Sequence, residues 1–228
     1  MKTLTTLLAL LAFFCAGVSA QDCSTFVNSE NGKTLTYINQ DAKGNRQMTV
    51  VYTTTKKDAS TVAVHAEISD KNGKSMGTGD SEMVCDGNAV KIDMKSFIPA
   101  ASMKQNMTIS GEAKYLTFPM KMQVGQALDD GTVTISMGSN GGPGMDMQMD
   151  LADRKVEQAE TVATNAGNFD CFKITYSATT KVKMGAIGIP FHMKVTEWYS
   201  PKLGRDVKSE TYNKGGKLMG TMVLDSIK

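Results

Sequence analysis

Three methionines in alternating positions are the residues of this sequence that most resemble a metal-binding set. Met145, Met147 and Met149 alternate with Asp146, Gln148 and Asp150. In a β-strand successive side chains point to opposite faces, so the three thioethers would share one face. Soft thioether ligands suit Cu(I), which makes a copper site one hypothesis. The same pattern also fits the apolar face of a half-buried sheet, or an adaptable apolar cavity.

Methionine is abundant along the whole chain, with 17 residues in 228. Further examples are Met48, Met76, Met83, Met94, Met120, Met122, Met137, Met184 and Met193. Because a metal site concentrates its ligands, this spread favours packing or cavity lining over a copper site. We therefore expect no bound metal and no cofactor.

Groups that could catalyse a reaction are sparse. The only histidines are His65 and His192, too few for a histidine-based zinc site, and each is expected to be a satisfied or solvent-facing strand residue. The sequence contains no G-x-S-x-G, H-E-x-x-H or P-loop pattern. Asp129 and Asp130 precede Gly131, a position at which acidic residues usually form turns. The sequence predicts that the protein is not an enzyme.

A single aromatic cluster surrounds the only tryptophan, in the run from Glu197 to Pro201. Trp198 and Tyr199 are neighbours, so in a strand they would point to opposite faces. We expect them to anchor the core, with stacking on a ligand as the alternative.

Composition limits the class of protein. The formal net charge is +2, hydrophobic residues make up 41% and charged residues 21%. This balance provides enough apolar material for a core and no excess of basic residues for binding nucleic acid. We therefore expect a folded protein that does not bind nucleic acid.

The first twenty residues have the pattern of a secretory signal peptide. Lys2 is followed by an apolar stretch from Leu4 to Val18, and the segment ends in small residues at Ser19 and Ala20. The stretch is too short for a membrane-spanning helix, so we predict no transmembrane segment. A lipid anchor at Cys15 is the alternative, although the preceding residues are bulky. Export predicts a location in the periplasm or outer envelope of a Gram-negative bacterium, or secretion.

Three cysteines follow the predicted signal segment, at positions 23, 85 and 171. In an oxidising compartment they allow one internal disulfide and leave one thiol over. The connectivity cannot be deduced from the sequence, but we favour Cys23 with Cys85. Cys171 lies between two phenylalanines in a strand-like run, which is typical of a buried small apolar residue.

Most of the remaining chain has a residue pattern typical of strands and hairpins. Short runs of Thr, Val, Tyr and Ile alternate with Gly, Asn and Asp clusters. The predicted strands are 34–39, 47–55, 61–69, 74–85 and 89–93, then 114–118, 131–137, 145–156, 161–164, 169–183, 191–200, 206–212 and 217–225. The first five fit an antiparallel meander.

The segment 94–107 is the one helical candidate, since its apolar residues roughly follow helical spacing. We predict a mainly β protein with one domain over residues 21–228. Its expected architecture is a curved antiparallel sheet or half-open barrel of roughly ten to twelve strands with one short helix.

Several segments together resemble the secreted TapB-like family, which is related to the domain of unknown function numbered 3108. They are Asp22-Cys23, the hairpin at 41–44, the step 93–97, the run Thr164 to Ile174, and Glu197-Trp198-Tyr199 with Val207 to Tyr212. The resemblance implies a β-rich envelope protein whose curved sheet wraps a helix, similar to lipoprotein-carrier domains. It implies no catalytic residues.

The function that these observations favour is the non-enzymatic binding of an apolar or amphipathic ligand such as a lipid. A structural or protein-interaction domain of the envelope is the main alternative, and a methionine-based copper-handling protein is the second. The oligomeric state stays open.

Overall fold

One antiparallel sheet of thirteen strands makes up most of the protein. The structure is a computed structural model that describes residues 23–97, 108–110, 114–138, 145–184 and 187–228. The strands are β1 (Thr34–Asp41), β2 (Arg46–Lys56), β3 (Thr61–Asp70), β4 (Ser75–Cys85), β5 (Ala89–Asp93), β6 (Thr108–Ser110), β7 (Tyr115–Pro119), β8 (Gly131–Gly138), β9 (Met145–Thr164), β10 (Gly167–Met184), β11 (Ile187–Ser200), β12 (Arg205–Asn213) and β13 (Leu218–Ile227).

The first five strands are neighbours in chain order, so the predicted meander is confirmed. Tight turns define it. In the turn between β1 and β2, Asp41 accepts hydrogen bonds from the backbone N–H of Lys43 and Asn45, each at 2.9 Å. Gly44 occupies a left-handed conformation there, with φ 80°, which glycine adopts without the steric cost of a side chain. Strand β13 pairs with β1 and joins the two halves of the chain in one sheet.

The order of the strands requires the sheet to curl almost into a closed barrel. Its edges are β6 and β7, yet only residues 111–114 separate them in sequence. Five residue steps span at most ~17 Å. A flat sheet of thirteen strands would hold its edges roughly 58 Å apart at the usual strand spacing. The predicted curved, mainly β fold is therefore confirmed, with thirteen strands where ten to twelve were expected.

Strand β9 is longer than the sequence indicated. Two separate strands, 145–156 and 161–164, were predicted, and this was wrong because residues 158–160 pair with β10 and only residue 157 is skipped. A bulge interrupts the pairing within β9, where Asp153 has a φ of 59°. The extra residue shifts the side-chain alternation, since Leu151 is buried before the bulge and Arg154 is buried after it.

Arg154 connects β9 to the opposite edge of the sheet. Its Nη1 donates to the backbone oxygens of Thr117 in β7, at 3.3 Å, and of Asp129 before β8, at 2.6 Å. The guanidinium lies 4.7 Å from the ring centre of Phe118, which stacks on Tyr199 with ring centres 4.4 Å apart. This side chain therefore helps to hold the region where the curled edges approach each other, together with backbone hydrogen bonds between residues 125–128 and 154–156.

The α-helix of the described residues is α1 (Cys23–Glu30), which the sequence analysis did not predict. Phe26 and Val27 bury its inner face against the sheet. A disulfide joins Cys23 to Cys85 at the end of β4, the pair that the sequence favoured. The helix is thereby fixed to the sheet at its first residue.

Two predicted features fall wholly or partly outside the described residues. The helix expected over 94–107 begins as a 3-10 turn, Met94–Phe97, and residues 98–107 lie outside the description. The predicted signal segment 1–20 lies outside it as well. No helix among the described residues is long and apolar enough to cross a membrane.

The contact between α1 and Gly204 gives a test of the helix position. Gly204 has a φ of 62°, and a Cβ there would lie 2.6 Å from two ring carbons of Phe26. We expect Gly204→Ala to lower the free energy of unfolding by about 3 kcal/mol, through the strained backbone and the crowded core. Urea denaturation followed by circular dichroism measures this change.

Gly216→Ala is the matched control, because Gly216 has a similar φ of 78° but open space around its Cβ position. It should cost only about 1 kcal/mol. Equal losses for the two variants would show that Phe26 does not pack against Gly204.

The hydrogen bonds of Arg154 predict a second stability effect. Arg154→Met removes the donor of two backbone oxygens while keeping an apolar side chain over Phe118. We expect a loss of about 3 kcal/mol in urea denaturation, since each hydrogen bond from a charged group contributes about 1.5 kcal/mol or more. The neighbouring exposed variant Lys155→Met should change stability by no more than about 0.5 kcal/mol. An unchanged midpoint for Arg154→Met would contradict the proposed closure.

Candidate ligand cavity

The inner face of the curled sheet lines a cavity of about 780 Å³, which is open to solvent where the exposed Asp80 and Met219 form part of its lining. Cavities of roughly 300–1,000 Å³ commonly hold small-molecule ligands. Its apolar lining includes residues from five strands, namely Met48, Val50, Ala66, Ile68, Met149, Leu151, Ala178, Met193 and Val195. Two hydrophobic clusters meet at this space, one centred on β3, β9 and β10 and the other on β1 and β2.

Small residues on β3 and β4 keep the cavity open. Ala66 of β3 pairs with Gly79 of β4, and both line the cavity. A Cβ added at Gly79 would meet no atom of the described residues within 4 Å. Inward positions on other strands carry Val, Met or Leu, whereas this pair is small. Larger side chains at Ala66 and Gly79 would occupy part of the cavity.

The predicted alternation of the methionine segment is confirmed where the structure describes it. Met147 and Met149 are buried, whereas Asp146 is exposed and Gln148 is half-buried. The side chain of Met145 lies outside the described residues. Met149 reaches the cavity, and Met147 packs in the adjoining hydrophobic cluster. Within the described ranges, no three His, Cys, Asp or Glu side chains form a group that could hold a metal ion. The copper hypothesis stays a prediction.

One end of the cavity is polar. Glu197 of β11 is only 2% exposed, and its Oε2 accepts a hydrogen bond of 3.2 Å from the hydroxyl of Tyr176. Burial and the nearby Asp206 raise the pKa of Glu197 to about 8, although Arg154 and Tyr176 act in the opposite direction. At neutral pH this carboxyl group is therefore mostly protonated.

Arg205 and Asp206, the first residues of β12, complete the polar end. The guanidinium carbon of Arg205 lies 4.7 Å from the ring centre of Tyr52, and its Nη2 lies 3.7 Å from the sulfur of Met83. Burial raises the pKa of Asp206 to about 6, against the lowering effect of Arg205. Tyr37 fixes this corner by donating a hydrogen bond of 2.8 Å to the backbone oxygen of Asp206.

The two histidines lie away from this polar end. Nδ1 of His65 is 2.7 Å from Oδ1 of the exposed Asp80, and Nδ1 of the exposed His192 is 3.1 Å from the hydroxyl of Thr179. Both match the expectation of satisfied or solvent-facing strand residues. The backbone oxygen of Asp129 accepts a hydrogen bond from Arg154, which gives Asp129 a structural role.

The aromatic cluster and the third cysteine behave as structural residues. Trp198 donates to Glu160 over 2.7 Å, while Tyr199 stacks in the interior on Phe118, so the expected core anchoring is confirmed. Cys171 is buried with a free thiol, as predicted. Burial raises the pKa of this thiol to about 12, which leaves it protonated and unreactive.

The polar end of the cavity was not predicted from the sequence. Glu197 was noted only as part of the aromatic cluster, and Arg205 and Asp206 were not singled out. One signal was present for Glu197. It alternates with Val195 and Tyr199, so it shares their inward face.

A family model described as DUF3108-like matches residues 30–224, which is most of the sequence. The chain belongs to the DUF3108-like family. The relation to the domain of unknown function numbered 3108 is thereby confirmed. The match includes both small residues, Ala66 and Gly79, and the whole polar end of the cavity. No curated protein matches the sequence.

Two crystal structures have a fold similar to that of this DUF3108-like chain. A candidate exported protein with a YmcC-like fold from Bacteroides fragilis superposes with a TM-score of 0.72 at 24% identity, over 87% of this chain and 96% of the other. A candidate lipoprotein from Parabacteroides distasonis gives a TM-score of 0.72 at 23% identity, over 87% and 95% of the two chains. At these identities the likeness shows the fold.

The buried carboxyl group predicts a particular dependence of stability on pH. Because the pKa of Glu197 is near 8 in the folded state and near 4.5 otherwise, the unfolded chain releases this proton first as the pH rises. The contribution of Glu197 to the free energy of unfolding is therefore most favourable below pH 4.5, and it is lost as the pH rises to 8. Relative to Glu197→Gln, the wild type should lose about 3 kcal/mol between pH 5 and pH 8.

Urea denaturation at a series of pH values measures this difference. Glu157→Gln is the control, because Glu157 is exposed on the same sheet, and its curve should run parallel to that of the wild type. Parallel curves for Glu197→Gln and the wild type would contradict a protonated Glu197.

Proposed function

We propose that this protein binds an apolar or amphipathic ligand, such as a lipid, inside the curled sheet. The observation that carries the proposal is the cavity of about 780 Å³ with a mainly apolar lining. A sheet interior filled by side chains would have argued against it. Methionines suit such a lining, because their flexible thioether side chains adapt to ligands of different shape.

We propose further that the protein acts outside the cytoplasm, in the cell envelope or after secretion. The signal-like pattern of residues 1–20 supports this, and so does the disulfide between Cys23 and Cys85, a bond typical of oxidising compartments. The two crystal structures with this fold are themselves described as an exported protein and a lipoprotein.

The proposed role is binding and not catalysis. Among the described residues that line the cavity, there is no histidine or cysteine that could serve as a base or nucleophile. Glu197 is held largely in its protonated form by burial. These features support a carrier or receptor for an intact ligand.

A cavity-filling substitution tests the proposal. Gly79→Phe places a phenyl ring in the open space next to Ala66, and it should reduce co-purifying apolar molecules at least fivefold. The measurement is solvent extraction of the purified protein followed by lipid mass spectrometry. Binding of the neutral fluorophore N-phenyl-1-naphthylamine gives a second readout.

Ala63→Phe is the matched control. Ala63 lies on β3 but belongs to the opposite face from Val62, Val64 and Ala66, so the same ring would point away from the cavity. This variant should bind as the wild type does. A wild-type protein that yields no extractable apolar molecule and does not bind the fluorophore would overturn the proposed function.

A further inference from the structure

Two side chains at the polar end of the cavity carry buried hydrogen-bonding atoms without partners. Arg205 is 6% exposed and Glu197 is 2% exposed, and both line the cavity. Within the part of the chain that the structure describes, Nε and Nη1 of Arg205 and Oε1 of Glu197 have no hydrogen-bond partner. Buried polar groups are normally paired, because an unpaired one loses the hydrogen bonds that it makes to water. These atoms mark where a polar ligand group would be stabilised.

The other buried arginine, Arg154, also has an unpartnered Nε and Nη2, but it is not among the described residues that line the cavity. Arg154 donates to two backbone oxygens, which are good acceptors. Nη2 of Arg205 contacts the sulfur of Met83 at 3.7 Å, and a thioether is a weak hydrogen-bond acceptor. The stacking on Tyr52 orients the guanidinium without using its N–H groups. Arg205 is therefore held in place with hydrogen-bonding capacity left over.

The charges around the polar end leave Arg205 as the group that would attract an anion. Asp206 and the buried Glu30 supply negative charge near Arg205, but Glu30 is paired with Lys33, and Arg154 lies near Asp129 and Asp130. Glu197 is buried and mostly protonated at neutral pH, so it adds little negative charge. Elsewhere along the lining, Lys95 pairs with Asp93 and Asp80 pairs with His65. An anionic ligand group would accept hydrogen bonds from the unpartnered Nε and Nη1 of Arg205.

The rest of the cavity favours an apolar chain. Met149 and Leu151 of β9 and Met193 and Val195 of β11 line the cavity, and so does Gly79, which has open space at its Cβ position among the described residues. A volume of about 780 Å³ falls in the range of cavities for small ligands, which suits one acyl chain with a compact head.

We propose that the cavity binds a single-chain amphiphile with an anionic carboxylate or phosphate head, whose oxygens accept hydrogen bonds from Arg205 while the chain lies along the methionine-lined wall. This inference rests on the proposed function and specifies its ligand. An anionic head accepts from a guanidinium more strongly than a neutral group does, since both partners are charged.

The experiment compares laurate with 1-dodecanol, which have chains of equal length but a charged and a neutral head. Binding to the purified protein at pH 7 is measured by isothermal titration calorimetry or by displacement of N-phenyl-1-naphthylamine. We expect the wild type to bind laurate at least tenfold more tightly than 1-dodecanol. Arg205→Met should remove this preference and leave the affinity for 1-dodecanol within twofold.

Arg46→Met is the matched control, because Arg46 is exposed at the start of β2 and bonds to Thr49. It should keep the full preference for laurate. Arg205→Lys provides a second test that preserves the charge, and it should retain part of the preference. Thermal unfolding of each variant establishes that it is folded.

The outcomes separate this inference from the proposed function. If 1-dodecanol binds as well as laurate and Gly79→Phe blocks both, the cavity binds apolar chains and the role of Arg205 is overturned. If Arg205→Met weakens both ligands equally, Arg205 is structural and the inference also fails. Binding of neither ligand contradicts both proposals.

Two further ligands identify the head and the number of chains. A lysophosphatidate that binds as tightly as laurate extends the site to phosphate heads, whereas inorganic phosphate at millimolar concentration should not compete. Competition by inorganic phosphate alone would show a free-anion site and overturn the amphiphile. Tighter binding of a two-chain phosphatidate than of the single-chain forms would overturn the inferred chain number.

Discussion

The curvature of the sheet follows from a short connection between its two edges. Because residues 111–114 link the edge strands β6 and β7, the thirteen strands have to turn back on themselves. The bulge at Asp153 contributes to this closure. It changes the side-chain alternation of β9 and thereby directs Arg154 inward. There the guanidinium bonds to a backbone oxygen of β7, which as an edge strand has carbonyl groups that no further strand uses.

A curled sheet then creates an interior that side chains have to fill. At one side Phe26 and Val27 of α1 fill it, and the disulfide keeps the helix there. Around Ala66 and Gly79 none of the described residues places a bulky side chain, and a cavity results. Burial of Arg205 and Glu197 beside this cavity costs free energy, so their position is not explained by stability of the fold alone.

The local rules of strands and turns made the meander predictable. Turns such as the one at Gly44 combine aspartate, asparagine and glycine, and strand alternation identified the buried faces. The helix α1 was not predictable in the same way. Its eight residues are too few for a stable isolated helix, and packing of Phe26 with the disulfide holds it in place. The strand break expected after residue 156 is absent, because β9 continues to pair with β10 through residues 158–164 although several of these side chains are polar and exposed.

The polar end depends on features that a single sequence does not display. Arg205 follows Gly204 at the first position of β12, and the pairing of β11 with β12 shifts between Trp198 and Tyr199. Such a shift decides which face a residue occupies, and no local pattern predicts it. Glu197 was partly readable from its alternation with Tyr199, but its unusual protonation arises from burial among distant residues.

The placement of the methionines also determines how the protein responds to oxidants. Oxidation converts a flexible apolar thioether into a polar sulfoxide. Met219, which is 51% exposed, is open to attack from solvent, whereas Met147 is shielded in the packed interior. Met149 and Met193 face the cavity, and a molecule seated there would cover them. A molecule bound in the cavity would therefore protect the lining from oxidants, whereas an empty cavity would expose the lining to gradual loss of its apolar character.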